Sequence, residues 1–173
     1  TRTFPANGTF NPQQRAIYEL VLKAQDSAID AVQPGAPWDA PHNASVRVIT
    51  QGLIKLGLIE GTLAKAIKAE AYRDFYMHRV GHWIGIDVHD VGDYKIDEKW
   101  RLLEPGMVTT IEPGIYIAPD NKHVPKKWRG IGVRIEDDVL VTKNGNRVLT
   151  TGIPKTVAEI ETFMAQAKQK RAA

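Results

Sequence analysis

The spacing of apolar residues changes near Phe75, and this change limits the folds that the chain can adopt. Before it, apolar residues recur every three or four positions over 12–32 and 40–56, as on one face of a helix. After it, glycine, β-branched and aromatic residues dominate, which is typical of strands and turns. A last helical pattern covers 156–168 and is expected to turn Phe163 toward the core. This order predicts an α+β domain with an antiparallel sheet flanked by helices.

Local sequence features predict several boundaries within this pattern. Asn11 followed by Pro12 predicts the N-cap and the first position of the first helix. A shorter third helix is expected over 60–73. Apolar and polar positions alternate over 130–142, which predicts one continuous strand. Asn144-Gly145 then predicts a tight turn that leads into a hairpin.

Composition limits the kinds of site and partner. The 173 residues include no cysteine, so disulfides and thiolate ligands are excluded and any metal must be held by histidine and carboxylate side chains. The net charge of +3 is too small to indicate a polyanion partner, and the basic cluster 126–129 is best interpreted as a solvated loop. No apolar run approaches the ~20 residues of a membrane span. We therefore expect a cytoplasmic protein that binds neither nucleic acid nor membrane.

Three histidines within the span 78–89 are candidates for a metal site. His78 and His82 are four positions apart, as in helical zinc pairs, but Gly81 and Gly85 argue against a helix there. Spacing alone is therefore weak evidence that these two residues or His89 bind a metal.

Two glutamates stand in strand-like segments, where charged side chains are unusual. Glu112 directly follows an apolar run, and Glu136 shares the polar face of its strand with Arg134. A buried carboxylate is costly unless it is paired or binds a cation. A divalent ion would balance these carboxylates, but an ion pair with Arg134 would explain the same pattern, and the residues alone leave both interpretations open.

Three blocks, taken together, resemble the signatures of the proline-specific metallopeptidases of the pita-bread superfamily. Residues 78–92 are similar to the histidine block, 103–116 to the first glutamate block and 129–138 to the second, in the family's order. The resemblance implies a partial pita-bread fold. The short link 93–102 favours the Xaa-Pro aminopeptidases over the prolidases, which are Xaa-Pro dipeptidases of the same fold. A peptidase-like binding module without catalysis is a further alternative.

The resemblance implies a metal-dependent exopeptidase that cleaves between an N-terminal residue and a following proline. His82 and Glu112 would bind one of two divalent ions, and Glu136 would bridge both. The ions would be manganese, with cobalt or zinc as alternatives. A metal-bridging hydroxide would attack the scissile carbonyl, and Glu112 would accept its proton.

The resemblance also implies roles for three residues around the metals. His89 would stabilise the charge that develops on the substrate carbonyl. His78 would line the substrate site, and Arg134 would orient a ligand carboxylate.

The family's ligand set is larger than the one found in this sequence. Two aspartate ligands and a further histidine lie upstream of the histidine block in the family, and the second aspartate just precedes the segment that matches Thr1–Pro5. We therefore expect residues 1–173 to be the C-terminal part of the catalytic domain, with the N-terminal domain and the first strands of the catalytic domain absent. The isolated chain should be inactive or nearly so, and the parent protein is expected to be a homo-oligomer.

Overall fold

The elements follow the predicted α+β order in a computed structural model, which describes residues 1–172. The helices are α1 Pro12–Asp30, α2 Ala40–Lys55, α3 Leu63–Lys68 and α4 Val157–Ala172, with short 3-10 helices at Ala71–Asp74 and Lys126–Trp128. The strands are β1 Lys95–Ile96, β2 Lys99–Trp100, β3 Val108–Ile111, β4 Gly114–Tyr116, β5 Gly132–Arg134, β6 Asp137–Thr142 and β7 Gly145–Val148. None of the helices in the described part is long and apolar enough to cross a membrane.

The first helix begins as predicted, and the third is shorter than predicted. The Asn11 side chain accepts a hydrogen bond from the Gln14 amide at 2.8 Å, and the Gln14 side chain accepts one from the Asn11 amide at 3.0 Å. This reciprocal capping box satisfies two amides that the helix itself leaves unpaired. The third helix stops at Lys68, because Glu70 adopts a left-handed conformation with φ 51° that an α-helix cannot continue through.

The antiparallel strands form three small sheets rather than one. β6 lies between β3 and β7, β4 pairs with β5, and β1 pairs with β2. The predicted strand over 130–142 is therefore two strands in two sheets. The hairpin between β6 and β7 is present, but Thr142 pairs with Gly145, so its turn residues are Lys143 and Asn144, one position earlier than predicted.

The register between neighbouring strands is unchanged across the break that separates the two larger sheets. Ile111 pairs with Asp137 on one side of the break, and Gly114 pairs with Arg134 on the other. Counting inward from both pairs places Glu112 directly opposite Glu136. The break therefore brings the two predicted metal-binding glutamates together.

Two apolar clusters support this arrangement. The larger one joins α1 and α2 to β4 and β5, and the smaller one lies beneath β3 and β6. α4 packs on the larger cluster through Val157 and Ile160, but the prediction for Phe163 was wrong, because its side chain is 59% exposed. Phe163 lies at the edge of the face that Val157 and Ile160 present to the core, and its side chain extends toward solvent.

Candidate metal centre

His82 lies on an extended segment that runs beside β3. The Thr110 amide donates to the His82 carbonyl at 3.0 Å, and the Glu112 amide donates to the Val80 carbonyl at 2.6 Å. A Cβ at Gly81 would lie 1.9 Å from the Thr110 carbonyl oxygen, so only glycine allows the two backbones to approach this closely. The segment is not helical, as Gly81 and Gly85 indicated.

Three side chains that the sequence singled out come together at the break between the sheets. Ligand atoms of His82, Glu112 and Glu136 all lie within 4.8 Å of one another, and each residue is partly shielded from solvent. His82 Nε2 is 3.3 Å from Glu112 Oε1. The Thr110 hydroxyl donates to the same oxygen at 3.1 Å and fixes the carboxylate in this position.

The hydrogen bonding of this cluster fits a bound divalent cation. His82 Nδ1 lies 2.9 Å from the Trp83 carbonyl oxygen, which can only accept, so Nδ1 carries the proton in neutral His82. The lone pair of Nε2 then faces a carboxylate oxygen, and a second carboxylate stands opposite the first. Like charges directly opposite on neighbouring strands repel. A cation would bind all three groups, and a backbone acceptor on the second ring nitrogen is typical of metal-binding histidine.

Arg134 connects this cluster to His78 through Tyr116. Arg134 Nη1 lies 3.6 Å from Glu112 Oε2, and Arg134 Nε donates to the Tyr116 hydroxyl at 2.7 Å. That hydroxyl is 2.9 Å from His78 Nε2, while His78 Nδ1 is 2.7 Å from the Arg79 carbonyl oxygen. All donors and acceptors match when His78 is neutral, with its proton on Nδ1, and Tyr116 donates to Nε2.

The pKa shifts agree with these protonation states. Burial lowers the pKa of His78, an effect that its hydrogen bond to the Arg79 carbonyl opposes. Burial raises the pKa of Tyr116, and the hydrogen bond and positive charge of Arg134 oppose that rise. At neutral pH the tyrosine therefore keeps its proton and the imidazole is uncharged.

Tyr116 had no predicted role, although it lies in the first glutamate block. It is four positions beyond Glu112 on an extended chain, and even-numbered steps along a strand share a face. That spacing could have identified it.

His89 is exposed on the loop that follows His82, and its ring meets the His82 ring edge-on at a centroid distance of 4.4 Å.

A second residue that sequence reasoning missed is Asp137, a charged side chain only 2% exposed. It occupies a core position next to Glu136 and is held by four polar side chains, Arg2 at 2.7 Å, Thr150 at 2.7 Å, Gln25 at 3.1 Å and Lys155 at 3.5 Å. Arg2 also donates to the Glu136 carbonyl at 2.6 Å. This cluster satisfies a buried charge and fixes the backbone beneath Glu136.

The model of metallopeptidase family M24 matches residues 1–143, a range that contains the whole cluster. The chain belongs to metallopeptidase family M24. It is 54% identical over 164 residues to an Xaa-Pro aminopeptidase of Haemophilus influenzae. This match covers 95% of this chain and 38% of that relative. It is 39% identical to a human Xaa-Pro dipeptidase, with 95% of this chain and 39% of the relative covered.

Solved structures of M24 relatives give the same result for the fold. Aminopeptidase PepP of Pseudomonas aeruginosa superposes with a TM-score of 0.96 at 65% identity, covering 97% of this chain and 38% of that one. The predicted partial pita-bread fold is therefore confirmed. The chain spans about two fifths of the length of these relatives.

Proposed function

We propose that this chain forms part of a metal-dependent Xaa-Pro aminopeptidase. The observation that carries the proposal is the position of Glu112 opposite Glu136, with the free ring nitrogen of His82 directed at Glu112. Greater identity to an Xaa-Pro aminopeptidase, 54%, than to an Xaa-Pro dipeptidase, 39%, supports the aminopeptidase assignment.

The cofactor that we propose is a pair of divalent metal ions, manganese in the first instance. His82, Glu112 and Glu136 would hold them, since imidazole and carboxylate groups suit manganese, cobalt and zinc. When bound, such ions supply Lewis acidity, which polarises a peptide carbonyl and acidifies water at neutral pH.

The protein side chains around the ions supply the acid–base chemistry. Glu112 would take a proton from the attacking water, and the Thr110 hydroxyl and Arg134 keep its carboxylate oriented for that transfer. His89, beside the His82 ring, would donate to the oxygen that gains charge during attack. His78 would contact the substrate while Tyr116 holds its ring in place.

Further ligands would come from outside the chain. The Glu136 amide donates to the Thr1 carbonyl at 2.9 Å, and the Thr1 amino group donates to the Glu136 carbonyl at 3.1 Å. A residue joined to Thr1 in a longer protein would therefore lie beside the cluster. We propose that aspartates of such a segment complete the ligand set. Residues 1–173 alone should then bind the ions weakly and have little activity, because missing carboxylates remove both charge and bridging atoms.

Peptide hydrolysis by the full-length protein tests this proposal. With manganese present, the tripeptide Ala-Pro-Ala should release alanine, the dipeptide Ala-Pro should be a poorer substrate, and Ala-Ala-Ala should not be cleaved. A chelator should abolish cleavage, and manganese should restore it. Preference for the dipeptide would indicate a prolidase, and peptide binding without cleavage would indicate a binding module. The 173-residue chain, assayed in parallel, should show little cleavage.

A further inference from the structure

Trp83 connects the candidate metal ligand His82 to the core behind it. The Trp83 carbonyl oxygen lies 2.9 Å from His82 Nδ1 and also accepts a hydrogen bond from the Asp90 amide at 3.1 Å. The Trp83 backbone pairs with Thr109 of β3. Successive side chains of an extended chain point to opposite faces, so the Trp83 ring points away from the metal cluster, and it is buried. The carbonyl that orients the His82 ring therefore belongs to a residue whose side chain is anchored in the core.

Two further aromatic rings contact the Trp83 ring. Its centroid lies 4.0 Å from that of Trp38 and 5.8 Å from that of Tyr94, whose ring is parallel to it within 2°. Trp38 and Tyr94 also contact each other, at a centroid distance of 4.9 Å. The Tyr94 hydroxyl accepts a hydrogen bond from the Trp83 amide at 3.4 Å. Aromatic rings at separations of this order attract one another, so Trp38 and Tyr94 restrict the position of Trp83.

The backbone of Arg101 holds Trp38 and Tyr94 in a fixed relation. The Trp38 amide donates to the Arg101 carbonyl at 2.8 Å, and the Arg101 amide donates to the Tyr94 carbonyl at 3.0 Å. Trp38 lies in the connector between α1 and α2, whereas Tyr94 comes just before β1. Two segments that are distant in the sequence therefore hold the Trp83 ring together.

We propose that Trp38 and Tyr94 are positioning residues for the metal ligand His82. They fix Trp83, whose carbonyl oxygen accepts the Nδ1 proton, and Nε2 is thereby left unprotonated and directed at Glu112. The hydrogen-bond partner of a metal-binding histidine sets its tautomer and ring orientation. Here the partner is a backbone carbonyl, which no substitution removes, so its direction depends on the side chains that hold Trp83. The inference rests on the proposed metal binding at His82.

Manganese titration of the full-length protein tests the inference without depending on cleavage. Trp38→Leu should weaken manganese binding about tenfold, as for loss of a partner behind a ligand, whereas Trp38→Phe keeps a ring and should keep most of the affinity. Tyr94→Leu and Tyr94→Phe form a second pair with the same expected order. Tyr94 is 37% exposed, so its replacement disturbs the core less than that of Trp38. Trp128→Leu, at a buried tryptophan of the larger apolar cluster, is the control and should lower the melting temperature without changing manganese affinity.

Crystal structures of the metal-free full-length variants give a second measurement that needs neither metal nor activity. The wild type and Trp38→Phe should keep His82 Nδ1 2.9 Å from the Trp83 carbonyl oxygen, and Trp38→Leu should lose this hydrogen bond. Unchanged His82 geometry or unchanged manganese affinity in both leucine variants, or an equal loss of affinity in Trp128→Leu, would overturn the inference. A wild type that binds no manganese, together with a displaced His82 ring in Trp38→Leu, would instead contradict the proposed function and leave the positioning role standing.

Discussion

Glu112 and Glu136 lie directly opposite each other on neighbouring antiparallel segments, at the one place where both strands leave their sheets. Their carboxylates and His82 Nε2 lie within 4.8 Å, and a cation between them is the simplest way to offset the repulsion. Arg134 lies 3.6 Å from Glu112, and the amino group of Thr1 lies 3.6 Å from Glu136. Where that nitrogen is a neutral amide, as in a longer protein, Arg134 alone neutralises the pair incompletely. The repulsion is a consequence of the strand register.

Glu136→Gln should separate the repulsion from metal binding. In the metal-free full-length protein the melting temperature should stay the same or rise by a few degrees, because the opposed charges are removed. Manganese at about 100 times its Kd should stabilise the wild type by ~2.7 kcal/mol and the variant far less. Thermal scans with manganese and with a chelator measure both effects. Glu60→Gln, an exposed glutamate away from the site, should behave as wild type.

Gly81→Ala should disturb the metal centre without removing a ligand. The added methyl would lie 1.9 Å from the Thr110 carbonyl oxygen, so the His82 segment must move away from β3. We expect a loss of about 1–3 kcal/mol in stability and at least a tenfold loss of manganese affinity, measured by metal titration. Gly152→Ala has no atom within 4 Å of its new methyl and is the control. Normal manganese affinity in Gly81→Ala would show that the close backbone approach is not required.

Tyr116→Phe should lower turnover while metal content stays unchanged. The hydroxyl accepts from Arg134 at 2.7 Å and contacts His78 at 2.9 Å, so its loss frees both side chains. A hydrogen bond to a charged group is worth about 1.5–3 kcal/mol, which corresponds to at least a tenfold fall in kcat. Steady-state kinetics and metal analysis of the same sample distinguish this result from a loss of ligands. Unchanged kcat would show that the Tyr116 hydroxyl does not contribute to turnover.

His42 should contribute to the pH dependence of stability. Its pKa falls from 6.5 to about 4 on folding, so the unfolded chain binds the proton more tightly. The free energy of unfolding therefore keeps its full value above pH 6.5 and decreases as the pH falls from 6.5 toward 4. The decrease due to His42 is about 2 kcal/mol between pH 7 and 5. With a chelator present, the His42→Gln variant should lose less stability over this interval than wild type, as measured by melting temperatures. His123→Gln, at an exposed site, should retain the wild-type slope.

The α+β order and the three blocks could be predicted because each depends on local sequence. Helix α1 is capped by its own residues, and Gly81 indicated that the histidine segment is not a helix. The break between β5 and β6 could not be predicted, since odd-numbered residues from Val133 to Val141 are buried on both sides of it. Apolar alternation is the same in one strand as in two collinear ones, and only the pairing partners distinguish them.

The side chains that hold the candidate site in place were harder to predict. Asp137 stands at a position where alternation predicts an apolar residue, and its partners come from distant parts of the chain, at Arg2, Gln25 and Thr150. Such contacts depend on tertiary structure and leave no local pattern. Tyr116 is the exception, because its spacing from Glu112 could have placed both on one face.

The most direct test of the account is an anomalous difference map at the manganese edge, from crystals of the full-length protein grown with manganese. We predict a peak about 2.0–2.3 Å from His82 Nε2 and from oxygens of Glu112 and Glu136. A map without a peak at these side chains, with His82 still 3.3 Å from Glu112 while the same preparation cleaves Ala-Pro-Ala, would contradict it.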